Sequence, residues 1–265
     1  MTTTVQHICG FLESFAPLKL AEDWDNVGLL VGDRTSSVEN VMTCLTVTPD
    51  SVSEAIDRSA DVIVTHHPMP FRPLKRLTTD STVGKILVDL LRADIAVYSP
   101  HTAFDSAAAG INQQLAEGIG LTDIAPLIEP SEDFDPSSGT GRYGRLNKPA
   151  PLSDLVARTK ELLSVDGLHI VGNSDTAVAK VAVACGSAGQ FLGDAKRAGC
   201  DALLIGETNF HTCLEAEAAG VQLILPGHYA SERFAVEQLA KVLGDEFSDL
   251  NVWASENEHD PLTWI

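Results

Sequence analysis

Residues 41–65 read VMTCLTVTPDSVSEAIDRSADVIVT, a β-branched run, a helix-period segment and a second β-branched run. VMTCLTVT (Val41–Thr48) is a strand pattern, PDSVSEAIDRSA a helix with Asp50 and Ser51 near its cap, and DVIVT the next strand. Strand, helix and strand in so short a span make the repeating unit of a parallel sheet whose faces are covered.

The rhythm continues outward from that stretch. STVGKILVDLLRAD sets Val83, Ile86, Leu87, Leu90 and Leu91 on one helix face, IAVYS is a third strand, and AAGINQQLAEGIG is a helix closed by Gly118 and Gly120. From about Thr122 to Pro151 the pattern breaks in a stretch dense in Pro, Gly, Ser and Asp, read as a linker or a strand-bearing entry to a second unit. Beyond it, helices at LSDLVARTKELLS, QFLGDAKRAG, NFHTCLEAEAAG and YASERFAVEQLAKVLGD interleave with strands at LHIVG, VAKVAVACG, DALLIG and VQLILPG. DVIVTHHP and DALLIGETNFH both end a strand in a polar, His-containing loop, which hints at an internal repeat. The expected architecture is α/β: two similar α/β lobes with mainly parallel sheets and a metal site in the cleft between them. The first lobe takes residues 1–125 plus 226–265 and the second 126–225.

Composition removes several classes. The chain has 265 residues, 44% hydrophobic, enough for one large core or two modest ones. No apolar run approaches the roughly 20 residues of a membrane span, and the N-terminus lacks the pattern of a secretion signal. Five cysteines, widely spaced and without Cys-x-x-Cys, support neither a disulfide framework nor a thiolate zinc site, so a cytoplasmic setting is expected. The net charge of −19 argues against a duplex nucleic acid partner, which needs a basic stripe. It fits either a high-salt cytoplasm or an ordinary acidic protein.

Ligands of open α/β sheets sit beyond the carboxyl ends of strands. THHP at 65–68, SPHTAFD at 99–105, GETNFH at 206–211 and GHYASE at 227–232 all fall at such ends. His228 and Glu232 are four apart at the start of a helix, so one face presents both, and His101 and Asp105 repeat the spacing. Imidazole and carboxylate donors without thiolates suit Zn, Mn, Fe or Ni. Adjacent His66 and His67 diverge, so they make sense as one ligand for each of two ions, with a carboxylate bridging; Pro68 and Pro70 stiffen the loop.

WDNVGLLVG (24–32), the 62–68 segment, YSPHTAFDSAAAGIN (98–112), the strand before GETNFH, and GHYASER (227–233) together resemble the Nif-three-like family, whose members are catalogued as GTP cyclohydrolase 1 type 2 homologs. The resemblance spans both ends of the chain. It implies a toroidal homo-hexamer of two-lobed subunits and two divalent metal ions per chain. The implied metal ligands are His66, His67, Asp105, His228 and Glu232, with Asp105 bridging. His101 matches a family histidine beside the metals, as a ligand, a catalytic group or a neighbour one layer behind. The activity implied is hydrolysis of a nucleotide or other phosphorylated small molecule, GTP by the catalogue name. The rival is a non-catalytic metal carrier, insertion factor or structural ring. Glu207 and Asn209 depart from the commoner family residues, and 265 residues leave no room for the middle domain inserted in many bacterial members.

Glu207 and His211 are the candidates for acid–base work. Asp25 and Asn26 either cap a local turn or orient a metal-bound histidine. Arg72, Lys75 and Arg76, three cations beside the histidine pair, form either a salt-bridging loop or a contact for an anionic substrate. Gly186, Gly189 and Gly193 either cradle a phosphate or allow close helix–strand packing.

Overall fold

The computed structural model describes residues 2–130 and 134–263. Two compact units divide the chain, Met1–Phe104 with Ala235–His259, and Asp105–Phe234 with Asp260–Ile265.

The first unit opens with helix α1 (Val5–Phe15), which buries Ile8, Cys9 and Leu12. Then come β1 (Gly28–Val31), β2 (Asn40–Cys44), α2 (Pro49–Asp57), β3 (Val62–Thr65), α3 (Thr82–Arg92) and β4 (Ala96–Ser99). Helix α4 (His101–Ser106) begins after one intervening residue. Strand β2 stops at Cys44, short of the expected Thr48, because the next two amides leave the sheet: Leu45 and Thr46 both donate to Glu258. Helix α2 is capped by Thr48, with Asp50 in its first turn and Ser51 closing the capping box. The Thr48 hydroxyl accepts from Ser51 N–H, and the Ser51 hydroxyl accepts from Thr48 N–H.

The second unit carries α5 (Ile111–Gly118), β5 (Leu121–Ile128), β6 (Thr140–Pro151), α6 (Leu152–Leu163), β7 (His169–Val171), β8 (Ala177–Ser187), α7 (Leu192–Arg197), β9 (Ala202–Glu207), α8 (Phe210–Ala219) and β10 (Gln222–Leu225). Helix α9 (His228–Glu246) and strand β11 (Asn251–Ala254) complete the chain. The stretch from Thr122 to Pro151 is strand-bearing: β5 and β6 pair antiparallel, and residues 131–133 within it lie outside the described residues.

The first sheet runs β1-β4-β3-β2-β11, parallel except for β1. Its core includes Met42, Val52, Ala55, Ile63, Ile86, Leu90, Val97 and Trp253. The second sheet runs β5-β6-β8-β9-β10-β7. Its centre, β8-β9-β10, is parallel; β6 and β7 join its two edges antiparallel, and β5 pairs antiparallel with β6. No helix among the described residues is long and apolar enough to cross a membrane.

The hinted repeat extends to individual hydrogen bonds. Asp61, just before β3, accepts from Glu39 and Asn40 N–H on one carboxylate oxygen at 2.7 and 2.8 Å. Asp201, just before β9, accepts from Ala179 and Lys180 N–H at 2.8 and 2.9 Å. The backbone of each then bridges the neighbouring strands: Asp61 N–H to Asn40 O and Ala96 N–H to Asp61 O, Asp201 N–H to Lys180 O and Gln222 N–H to Asp201 O. Gly32 and Gly172 adopt left-handed φ values of 110° and 107° at matching places after β1 and β7. Asn40 and Lys180, Asp61 and Asp201, and Gly32 and Gly172 are each 140 positions apart.

One buried charge holds the second unit. Arg142 is fully buried, and its five N–H donors all reach carbonyl oxygens: Gln113 Oε1, Gly139 O, Gly141 O, Ala107 O and Ser137 O, at 2.6–3.0 Å. Burial pushes its pKa down to about 10. An R142M variant strands these acceptors and should lose about 3 kcal/mol in urea unfolding. R142K, without the planar fork, should recover only part of that.

Candidate metal centre

In the first unit, β3 delivers His66 and His67 into a loop with little freedom. Their amides bond to Cys44 O and Leu45 O at 3.0 and 2.8 Å, Ser99 Oγ donates to His66 O at 2.6 Å, and Thr65 Oγ1 donates to both Leu45 O and His67 O. His101 joins them from the start of α4, where it holds a left-handed φ of 31°. The ring centroids of His66 lie 5.1 Å from both His67 and His101, and those of His67 and His101 are 5.7 Å apart. One nitrogen from each lies within 4.8 Å of the others.

Two of these imidazoles are aimed by partners. Thr46 Oγ1 lies 2.7 Å from His67 Nδ1, and Asp25 Oδ1 lies 2.7 Å from His101 Nδ1, so both rings are oriented through their Nδ1 side. Asp25 also accepts from Thr102 Oγ1 and N–H and from Asn26 N–H. Burial alone would raise the Asp25 pKa; the bonds from His101 and Thr102 outweigh it and hold the carboxyl below its usual range. The Asn26 side-chain amide donates to Pro70 O at 2.8 Å.

In the second unit, His228 and Glu232 share one face of the first turns of α9, with Nε2 and Oε2 3.1 Å apart. His228 Nδ1 lies 3.0 Å from Glu207 Oε1 at the end of β9. The bond to Glu232, helped by Glu207 and opposed by burial, pushes the His228 pKa up to about 9. An imidazole nitrogen and a carboxylate oxygen set this close are a donor pair whose chemistry suits a cation. Gly186 makes room there, since a Cβ on it would stand 2.3 Å from Glu232 Oε1. Asp105 accepts from the buried Cys185 thiol at 3.1 Å. Asn112 ties the pair together, accepting from Cys185 N–H at 2.7 Å and donating to Asp105 O at 3.1 Å. Burial, followed by the charges of Asp105 and Glu232, raises the Cys185 pKa well above normal, in keeping with a thiol that donates to Asp105.

The other candidates sit as follows. His211 is exposed in the first turn of α8, its ring 5.8 Å from that of Phe210. Arg72, Lys75 and Arg76 are exposed on the loop after the histidine pair. Asn209 caps α8, accepting from Thr212 N–H. Gly189 packs so closely that a Cβ would fall 2.0 Å from Thr208 Oγ1, so close packing accounts for it.

Sequence reasoning passed over Thr46, Cys185, Asn112 and Glu258. Glu258 accepts from Leu45 and Thr46 N–H at 2.8 and 2.6 Å, and so fixes the residue that fixes His67. Thr46 had a local signal, a hydroxyl just past a strand end; Glu258, more than 200 residues away, had none. Thr46→Val and Glu258→Gln should each weaken divalent metal binding by about 10- to 100-fold, the range for partners behind a ligand, in competition against a chelating dye. Unchanged affinity in both would remove Thr46 and Glu258 from the metal-site network.

Residues 3–261 match the family model Duf34/NIF3 (NGG1p interacting factor 3). The chain is 32% identical over 265 residues to a Clostridium acetobutylicum protein named GTP cyclohydrolase 1 type 2 homolog, covering 98% of each. It is 34% identical over 267 residues to a Schizosaccharomyces pombe protein named Protein NIF3 homolog, covering 95% of each. Among solved structures it resembles Staphylococcus aureus hypothetical protein SA1388, with TM-score 0.90 and 27% identity over the whole of both chains. It also resembles reduced HcgD from Methanocaldococcus jannaschii, with TM-score 0.83 and 26% identity, covering 97% of this chain and 99% of that one.

Proposed function

The chain belongs to the Duf34/NIF3 family, and from that premise we propose that it is a metal-dependent hydrolase. In this reading His66, His67, Asp105, His228 and Glu232 hold two divalent ions, drawn from Zn, Mn, Fe or Ni, and the substrate is a nucleotide or another phosphorylated small molecule. The observation that carries it is the gathering of two of these ligands, His66 and His67, with His101 beside them, one nitrogen of each within 4.8 Å of the others. The relatives named GTP cyclohydrolase 1 type 2 homolog support the nucleotide. When bound, such ions supply Lewis acidity and acidify water near neutral pH.

The chain's own residues supply the rest. Thr46, Asp25 and Glu207 each take the Nδ1 side of a histidine, directing His67, His101 and His228 respectively. Cys185 and Asn112 fix Asp105. Arg72, Lys75 and Arg76 attract the phosphates, and Glu207 and His211 move protons. A ring of six copies and a cytoplasmic setting belong to the same reading.

Elemental analysis of the purified protein, then incubation with GTP and with simple phosphoesters, tests it. Two divalent ions per chain and turnover well above that of H67A support the proposal. Two ions with no turnover above H67A would leave the metal carrier, and no bound metal would overturn the reading.

A further inference from the structure

Trp24 and Phe71 are exposed, at 62% and 46% of their surfaces, and they stand together. Their rings meet edge to face with centroids 6.0 Å apart, and each lies edge-on to His101, at 6.1 and 6.3 Å. Leaving an indole and a phenyl ring in water has a cost that holding a metal does not require. Nor are the rings on loose loops. Asn26 Nδ2 donates to Pro70 O at 2.8 Å, joining the segment that carries Trp24 to the one that carries Phe71. Asp25 bonds to His101 and Thr102, and Glu22 N–H donates to Thr102 Oγ1 at 3.0 Å. Arg72, Lys75 and Arg76 follow Phe71 directly, three of the 18 cations of a chain whose net charge is −19.

We propose that Trp24 and Phe71 form a stacking platform for the planar base of a mononucleotide, with the 72–76 cations taking its phosphate. This deepens the nucleotide reading above and rests on it for the substrate, but base binding itself requires no metal. A braced aromatic pair offers a π-face to any base, and stacking is sequence-tolerant. The fixed loops reduce the ordering that binding would otherwise require. Trp24 then separates nucleotides from plain sugar phosphates, and Arg72, Lys75 and Arg76 separate nucleotides from nucleosides.

Calorimetric titration of metal-free and metal-loaded protein with AMP, GMP and ribose 5-phosphate is the test. Both nucleotides should bind at least about tenfold more tightly than ribose 5-phosphate, within the range that stacking supplies. Trp24→Ala should abolish that preference and Trp24→Phe should restore most of it; circular dichroism confirms that each variant is folded. Equal affinity for the three ligands, no binding at all, or a preference that survives Trp24→Ala overturns the platform. So does a Trp24→Ala protein that changes oligomeric size in gel filtration and keeps the nucleotide preference, which would make the aromatic patch a contact between copies. Nucleotide preference in a protein that takes up no metal would leave the platform standing and refute the metal-centre reading alone.

Discussion

An H67A variant should leave purification with fewer than half of the parent's divalent ions and an unfolding midpoint in chelator only slightly below the parent's. The His67 ring is only half-buried, and its amide bond to Leu45 O does not depend on the side chain. Truncation therefore costs little packing, about 1 kcal/mol or less. It removes a nitrogen that Thr46 holds in place, and losing a donor should exceed the roughly 10- to 100-fold effect of losing a partner behind it. His66 gives the contrast. At 2% exposure its ring is part of the core, so H66A should lose both metal and stability. Full metal content in H67A would show that the imidazole cluster is structural.

The second large effect lies away from the histidines. Glu54, 4% exposed, accepts from Trp253 Nε1, Ser255 Oγ and the amides of Glu256 and Asn257 at 2.7–3.1 Å, and pairs with Arg58 at 3.3 Å. This one carboxylate fastens the segment after β11 to the first unit. E54A should cost about 3–5 kcal/mol, because the buried Trp253 Nε1 and Ser255 Oγ lose this acceptor. Burial by itself would raise the Glu54 pKa; the bonds from Ser255, Asn257, Glu256 and Trp253 prevail and hold it below 4.5. A carboxyl depressed on folding stabilises fully above its unfolded value, and that contribution is lost as pH falls through the folded one. The gap in urea midpoint between parent and E54Q should therefore be widest near pH 7 and close progressively below pH 4.5. Because Glu258 follows the fastened segment and reaches the Thr46 amide, E54Q should also weaken metal binding. A gap independent of pH would show that Glu54 is not ionised in the folded chain.

The parallel strands and their helices were legible because each carries its own period within a few residues. DVIVT and IAVYS are uniform β-branched runs, and α3 repeats its apolar positions every three or four residues. Helix α1 and strands β1 and β11 were passed over because they lack the alternating neighbours that made the others recognisable. The second sheet is more mixed than its centre suggested, since β5 and β6 lie in a stretch whose Pro and Gly obscure any alternation. Histidines at strand ends could be read as a group from chain order alone. Their aiming could not: Asp25 and His101 are 76 residues apart, and Glu258 is 212 from Thr46. Hydroxyls and carboxylates in such pairs look like ordinary surface polarity until the fold brings them together.

The shared 140-residue offset means that one structural module occurs twice, with the same aspartate clamp ahead of the strand in both copies and different residues at the strand tips. Gly206 and Glu207 stand where the first copy has His66 and His67. At Gly206 even a methyl group would come within 2.5 Å of Ser231 Oγ and 2.7 Å of Gly186 O. A pair of imidazoles like that after β3 is therefore closed to the end of β9 unless those neighbours change with it.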